Sequence, residues 1–352
     1  MKAVVFHGPH DFRYEDYPEP KLSSERDLII RVCKCSICGS DLHMYNGKQL
    51  GPIDYSQVKI HFCVGHEAIG EVVEVGRAVT RHKPGDRILL AGGVGCGKCR
   101  QCQRGAFSLC EKKSVLPYGF SPMLEGLQAE YACVKQADLS ALTIPEGVSD
   151  EQALLLTDSL ATGFLGAVKA GVVPGSNVAV IGQGPIGKTA MESAFALGAE
   201  KVFVIEPSEF RRGIAALHGA IPLTPEAAQS VILQETGGLG VDCTIEAVGR
   251  EDSIKQAIRI TRAGGQLAIL GLITSDTRLA LTQAQLKSLT IFAGVAGVAD
   301  SWPQLVPLVQ QGLIRGDGMF THHFPLSQAS DAFALFNTGQ DTVMKIMIEV
   351  AR

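Results

Sequence analysis

The stretch Val178-Ala179-Val180-Ile181-Gly182-Gln183-Gly184-Pro185-Ile186-Gly187 runs from four apolar residues into G-x-G-x-x-G, and Lys188 to Leu197 then reads as a helix. A continuous apolar strand feeding such a turn has the pattern of a buried parallel strand, and the three glycines have separate tasks. Gly182 permits the tight turn, Gly184 lets the backbone approach a pyrophosphate, and Gly187 allows close packing of helix on strand. Pro185 and Ile186 lie where the first helical amides face the phosphates. With 39 glycines in 352 residues the spacing can arise by chance, so its context decides. The next apolar strand, Val202 to Ile205, ends in Glu206, nineteen residues past Gly187. A carboxylate there can accept hydrogen bonds from an adenosine ribose. Strand, loop, helix and acid together point to a nicotinamide dinucleotide rather than to ordinary turn glycines. Glu206 favours NAD over NADP, whose 2′-phosphate would meet a like charge. Arg211 and Arg212 follow Glu206 by five and six residues. Arg211 is a candidate phosphate contact; otherwise both are expected on the solvent face of the next helix.

Outward from this loop, three more apolar strands follow at helix-sized intervals: Asp242 to Ile245, Gln266 to Leu270 and Thr290 to Ala293. Such alternation builds a parallel sheet covered on both faces. The first 150 residues have another texture, short strands between turn residues with little helical period: Lys2 to His7, Leu28 to Val32, Gly70 to Val75, Arg87 to Leu90 and Glu130 to Lys135. After Val295 come helix-like Gln304 to Gln311 and Ser327 to Phe336, then a strand, Val343 to Val350. This tail is too short for a third domain and is expected to return to the first. The expected division is residues 1–157 with 296–352 as one domain and 158–295 as the dinucleotide-binding domain.

Composition excludes several classes. A chain 46% hydrophobic and 19% charged, with net charge −4, is a packed protein and not a disordered one. Its 32 basic and 36 acidic residues, with no Lys/Arg run longer than two, leave no positive field for nucleic acid. The N-terminus lacks a signal-peptide core, and no run of about 18 apolar residues offers a membrane span. A cytoplasmic location is expected, where ten cysteines are thiols or metal ligands before they are disulfides.

Two cysteine-bearing constellations stand out. Cys96, Cys99, Cys102 and Cys110 give C-x2-C-x2-C-x7-C in a glycine-rich stretch. Four soft ligands at this spacing can wrap one tetrahedral zinc with no place for water, which makes a structural site; two disulfides are the alternative. The second set is dispersed: Cys38-Gly39-Ser40-Asp41-Leu42-His43, then Gly65-His66-Glu67, then Thr157-Asp158. Cys38, His66 and Asp158 supply three ligands and leave a position open, the pattern of a catalytic zinc. Taken singly, each has a plainer reading as an inert thiol, a core histidine or a helix cap. Glu67 is a candidate ligand or a neighbouring acid, and Asp41 is expected to orient a ligating histidine.

Together these motifs resemble the zinc-dependent alcohol dehydrogenases of the medium-chain dehydrogenase/reductase superfamily, over essentially the whole chain. The resemblance implies an α/β fold: a Rossmann doubly wound parallel sheet plus a β-rich, GroES-like catalytic domain carrying both zincs, with the active site between them. It further implies that Cys38 and His66 ligate the catalytic zinc, that Ser40 and His43 relay the proton by way of the cofactor ribose, and that Glu67 is the acid beside the metal. Asp158 stands where many relatives have a second cysteine ligand, as in bacterial secondary-alcohol dehydrogenases and the formaldehyde dehydrogenase branch. Thr162 corresponds to a threonine near the nicotinamide.

The implied reaction passes a hydride between a small-molecule alcohol, or the corresponding carbonyl compound, and the cofactor. Gly92, beside Gly93, falls where relatives often carry an aromatic that narrows the pocket, so a secondary or aryl-bearing alcohol is expected. Tyr45 and Trp302 are further candidates for the pocket wall. The alternatives are a polyol or amino-alcohol dehydrogenase, a glutathione-independent formaldehyde dehydrogenase, or a non-catalytic cofactor-binding protein on the same fold. A homo-oligomer, dimer or tetramer, is expected.

Overall fold

Strand Asn177–Ile181 lies inside a six-stranded sheet in the computed structural model, which describes residues 1–112, 117–274 and 277–350. The spatial order is Ile221–Leu223, Lys201–Ile205, Asn177–Ile181, Val241–Glu246, Thr261–Ile269, Thr290–Ala293, and every neighbouring pair is parallel. In chain order this is 3-2-1-4-5-6, the Rossmann arrangement, whose strand order reverses beside Asn177–Ile181. Val178, Val180, Val202 and Val204 pack into one apolar cluster, while Ala179, Ile181, Phe203 and Ile205 pack into another. Alternate residues of each strand therefore serve two cores, which is why these strands read as unbroken apolar runs.

Several elements depart from the sequence expectation, among them strands Asp11–Asp16 and Phe320–Pro325, which lie outside its runs. Ile221–Leu223 was not foreseen, because three residues with a central proline at a sheet edge carry no usable period. Helix Val298–Gln310 begins six residues ahead of Gln304, its first turns obscured by Trp302 and Pro303.

The other compact unit comprises Met1–Asp158, Gly297–Pro303 and the chain from Asp317. Its principal sheet runs Ala141–Thr143, Arg87–Leu90, Glu67–Val75, Leu28–Ile37, Lys345–Glu349, Phe320–Pro325, with Tyr131–Val134 also paired to Leu28–Ile37. The last strand thus returns from the chain end to lie antiparallel to Leu28–Ile37. Apolar side chains from both ends of the sequence, among them Phe6, Ile30, Phe62, Phe333 and Ile348, fill one core.

The division differs from the expected one at three places, the smallest being Ala296, which falls with the parallel sheet. Asp158 falls with the first unit, where its carboxylate meets Cys38 and His66. Gln304–Gly316 falls with the parallel sheet, because the amides of Arg315 and Gly316 donate to the Glu192 carboxylate at 3.1 and 2.9 Å.

Gly182 has φ +88°, and a Cβ on Gly187 would stand 1.8 Å from the Gly182 carbonyl oxygen. No rotamer relieves a clash with backbone. Gly187→Ala is therefore expected to cost about 2 kcal/mol or more of stability. Dinucleotide binding should weaken with it, as read by thermal unfolding and cofactor fluorescence titration. Unchanged values in both would remove the glycine from its packing role.

Candidate metal centres and dinucleotide loop

Strand register brings the first cluster together. Leu28–Ile37 and Glu67–Val75 are antiparallel with Ser36 opposite Glu67, so Cys38 leaves one strand beside the point where His66 enters the other. Helix Asp150–Leu155, opened by a capping box between Ser149 and Gln152, leads into Asp158. Cys38 Sγ lies 3.2 Å from Asp158 Oδ2, and His66 Nε2 lies 3.8 Å from the same oxygen. Ligand bonds of about 2.0–2.3 Å put tetrahedral donors about 3.3–3.8 Å apart, so these three atoms suit one small cation.

Asp41 stands behind them, fully buried. One oxygen is 3.0 Å from His66 Nδ1 and the other accepts from the Cys38 amide at 2.9 Å. It thus fixes the imidazole so that Nε2 faces the cluster, as expected of a carboxylate that orients a ligand.

Glu67 also has an oxygen within 4.8 Å of all three donor atoms, yet it is otherwise engaged. Lys345 Nζ lies 2.8 Å from one carboxylate oxygen and 2.7 Å from the other, and Ser36 Oγ donates to Oε2. All three side chains are buried. Burial disfavours the Lys345 ammonium, and Glu67 first, with Cys38 and Asp158, more than restores it. Lys345 and Ser36 escaped the sequence reading, since both look like ordinary strand positions. The signal was a lysine amid the apolar residues of Val343-Met344-Lys345-Ile346-Met347-Ile348.

Ser40 and His43 share one turn at helix Asp41–Tyr45, with Ser40 at its N-cap. His43 is half-buried; burial, then Lys48, lowers its pKa below the ordinary histidine value. A Cβ on Gly92 would touch His66 at 3.2–3.3 Å, whereas one on Gly93 meets nothing within 4 Å. The glycine at Gly92 thus also makes room for the His66 ring. Tyr45 and Trp302 are not exposed pocket walls. Tyr45 packs into an aromatic cluster with Phe12 and Phe333, and the Trp302 indole is buried against a backbone carbonyl.

The four-cysteine lobe is equally compact: Cys96 and Cys102 sulfurs are 4.0 Å apart, as are those of Cys99 and Cys110, and all ten cysteines are free thiols. Amides of Cys102 and Glu111 donate to Cys99 Sγ at 3.5 and 3.4 Å, and these hydrogen bonds lower that thiol to about 6. Burial pushes the Cys102 thiol the other way, up to about 12, but four sulfurs this close together fit one tetrahedral cation.

In the parallel unit, helix Pro185–Ala196 starts directly after Gly184 with Pro185 at its first position. Only the Arg211 guanidinium comes as near as 4.0 Å to where a Gly184 Cβ would stand, so space for a phosphate remains above the loop. Glu206 accepts from the amides of Gln183 at 2.7 Å and Ser208 at 3.0 Å, which ties loop to strand and leaves each oxygen a second acceptor site for a ribose hydroxyl. The expectation that both arginines face solvent is corrected. Arg212 donates to the carbonyls of Glu206 and Pro207 at 2.7 and 2.6 Å, while Arg211 leans over the loop. Thr162 is half-buried on helix Ser159–Lys169 of the same unit.

Two family models match, the alcohol dehydrogenase GroES-like domain over residues 24–146 and the zinc-binding dehydrogenase over 185–311. A Mycobacterium tuberculosis protein named probable zinc-binding alcohol dehydrogenase is 38% identical over 95% of this chain and 85% of its own. The chain belongs to the zinc-dependent medium-chain alcohol dehydrogenases. Sorbitol dehydrogenase of Bacillus subtilis is 30% identical over 99% of this chain and 97% of its own. The solved structure of alcohol dehydrogenase TADH from Thermus sp. ATN1 superposes with a TM-score of 0.92 at 31% identity, covering both chains completely. This dehydrogenase is accordingly an oxidoreductase acting on alcohols with zinc and a nicotinamide cofactor.

Protonation of the metal-free dehydrogenase bears on how the metal enters. Burial, reinforced by Asp158, pushes the Cys38 thiol up to about 11. Burial opposes charge on His66, but Asp41 and Asp158 outweigh it and hold the imidazolium well above its ordinary range. Near neutral pH both groups carry protons that a ligated metal displaces. Zinc uptake at Cys38, His66 and Asp158 is therefore expected to release about two protons and to tighten as pH rises. A chelator should remove this ion before the four-sulfur one, which leaves no open position. Calorimetry in buffers of different ionisation enthalpy counts the protons; none released would contradict the thiol and imidazolium assignment.

Proposed function

We propose that this dehydrogenase transfers a hydride reversibly between a secondary or aryl-bearing alcohol and NAD, forming a ketone or aldehyde. The observation that carries the proposal is the convergence of Cys38, His66 and Asp158, oriented by Asp41, with Glu67 neutralised by Lys345. A zinc ion held there supplies Lewis-acid polarisation of the alcohol oxygen, and a nicotinamide supplies the hydride acceptor. Ser40 takes over the proton of the substrate hydroxyl and His43, one turn on, carries it to solvent. Glu67 keeps a charged group near the cluster without joining it, and Thr162 packs toward the nicotinamide. Cys96, Cys99, Cys102 and Cys110 hold a second, structural zinc.

The open space at Gly93 supports a wide pocket. A polyol is the second reading, favoured by the likeness to sorbitol dehydrogenase. A panel of secondary, aryl-bearing and polyhydroxy alcohols followed by nicotinamide absorbance separates the two. In that panel Asp158→Ala is expected to lose most turnover, at least about a hundredfold, while cofactor binding stays within about twofold. Near parental turnover would remove Asp158 from the ligand set.

For His43 the sign follows from its lowered pKa. It is neutral and able to accept a proton at pH 7, and the acid limb of alcohol oxidation should fall only below the ordinary histidine value. His43→Ala should slow oxidation and erase that limb while zinc content stays the same. A pH profile superimposable on the parent would exclude it from the relay.

Glu206 supports NAD over NADP, since its carboxylate can accept from both ribose hydroxyls and would repel a 2′-phosphate. Arg211 opposes this preference in part. On one alcohol, kcat/KM is expected to favour NAD, and Glu206→Ser to narrow the ratio by about tenfold or more. Parental preference for NADP, or an unchanged ratio in the variant, would contradict the assignment. We also read the protein as a cytoplasmic homo-oligomer. No helix among the described residues is long and apolar enough to cross a membrane. Strand Thr290–Ala293 ends its sheet near exposed Leu286 and Val295, an edge suited to a second copy. Sedimentation velocity distinguishes that from a monomer.

A further inference from the structure

The single tryptophan of the chain is buried, 6% exposed, on helix Val298–Gln310, and its indole Nε1 donates to the Leu156 carbonyl at 3.0 Å. That carbonyl belongs to the frayed end of helix Asp150–Leu155, where backbone acceptors lose their intrahelical partners. Its neighbours are satisfied locally: Thr157 Oγ1 donates to Leu154 at 2.6 Å and the Asp158 amide to Leu155 at 3.4 Å. Leu156 is fully buried and takes its donor from 146 residues away in sequence. Two residues later comes Asp158. The same helix start is itself anchored, because Asp300 Oδ1 accepts from the Phe107 amide at 3.1 Å, inside the lobe between Cys102 and Cys110.

We propose that Trp302 is a positioning residue of the metal centre: its indole fixes the Leu156–Thr157 peptide and thereby the place of Asp158 opposite Cys38 and His66. Asp300 extends the brace to the four-cysteine lobe, so the lobe has a mechanical link to the ligand. This inference rests on the reading of Cys38, His66 and Asp158 as the ligand set. Trp302 acts in it through the backbone; Trp302→Phe keeps an aromatic ring, removes the donor with part of the bicyclic ring, and leaves a buried carbonyl unsatisfied.

The test is Co²⁺ titration of zinc-depleted full-length protein, in which the four-thiolate and one-thiolate sites differ in visible absorption. The four-cysteine site then serves as the control within the same molecule. Trp302→Phe is expected to bind Co²⁺ about tenfold more weakly at the Cys38 site and unchanged at the four-cysteine site. Equal affinity at both sites in variant and parent would overturn the proposal. A parent that takes Co²⁺ only at the four cysteines would instead overturn the ligand reading on which it rests. Should the variant fail to fold, the lone tryptophan reports in the parent. Its emission is expected to shift as the Cys38 site fills and to stay still in Asp158→Ala, and an unresponsive parent overturns the proposal.

Discussion

Strand Leu28–Ile37 is hydrogen-bonded to Glu67–Val75 on one side and to Lys345–Glu349 on the other, and the cluster at Cys38 depends on that double register. One pairing puts Ser36 opposite Glu67, and the other puts Ile37 opposite Ile346 and so sets Lys345 against Glu67. A slip of one residue would turn Glu67 or Lys345 to the opposite face and leave the other as an uncompensated buried charge. Breaking such a pair typically costs about 3–5 kcal/mol, so the ion pair penalises every register but the observed one. Correct pairing of the chain's two ends and correct assembly of the site are therefore the same event.

The two cysteine-bearing clusters are prepared differently for metal. In the four-cysteine lobe backbone amides donate to sulfur and favour the thiolates of Cys96 and Cys99, while burial pushes the Cys102 thiol up to about 12. Around Cys38 burial and Asp158 favour the thiol, and His66 is held as the imidazolium. The lobe thus offers two ready thiolates, whereas the buried cluster stays electrically tolerable by holding protons that a bound cation would replace. The Glu67–Lys345 pair adds no net charge, so in the proposed ligand set Cys38 and Asp158 would supply the negative charge.

Much of this architecture was legible because local chemistry announced it. The glycine loop required Gly182 and Gly187 by backbone geometry, and five of the six parallel strands follow from apolar runs alternating with helices, the edge strand Ile221–Leu223 excepted. Cys96 to Cys110 are close in sequence, so their convergence needed no tertiary knowledge. Lys345 was not legible: its partner lies 278 residues away, and a lysine in a strand ordinarily reaches solvent. Trp302 failed for a related reason. A lone aromatic in an irregular stretch suggests a pocket wall, and only the fold shows a buried carbonyl for its indole. Arg212 looked solvated because helix position alone does not reveal the carbonyls of Glu206 and Pro207 within its reach.

Cys38, His66 and Asp158 are proposed to form one metal centre and the four cysteines another. Anomalous diffraction at the zinc edge, on crystals of protein produced with zinc, tests it directly. Two peaks per chain are predicted, one inside the four-cysteine lobe and one bonded to Cys38 Sγ, His66 Nε2 and an Asp158 oxygen, with Glu67 still paired to Lys345. A single peak among the four cysteines, or a second peak bonded to Glu67 in place of Asp158, would contradict it.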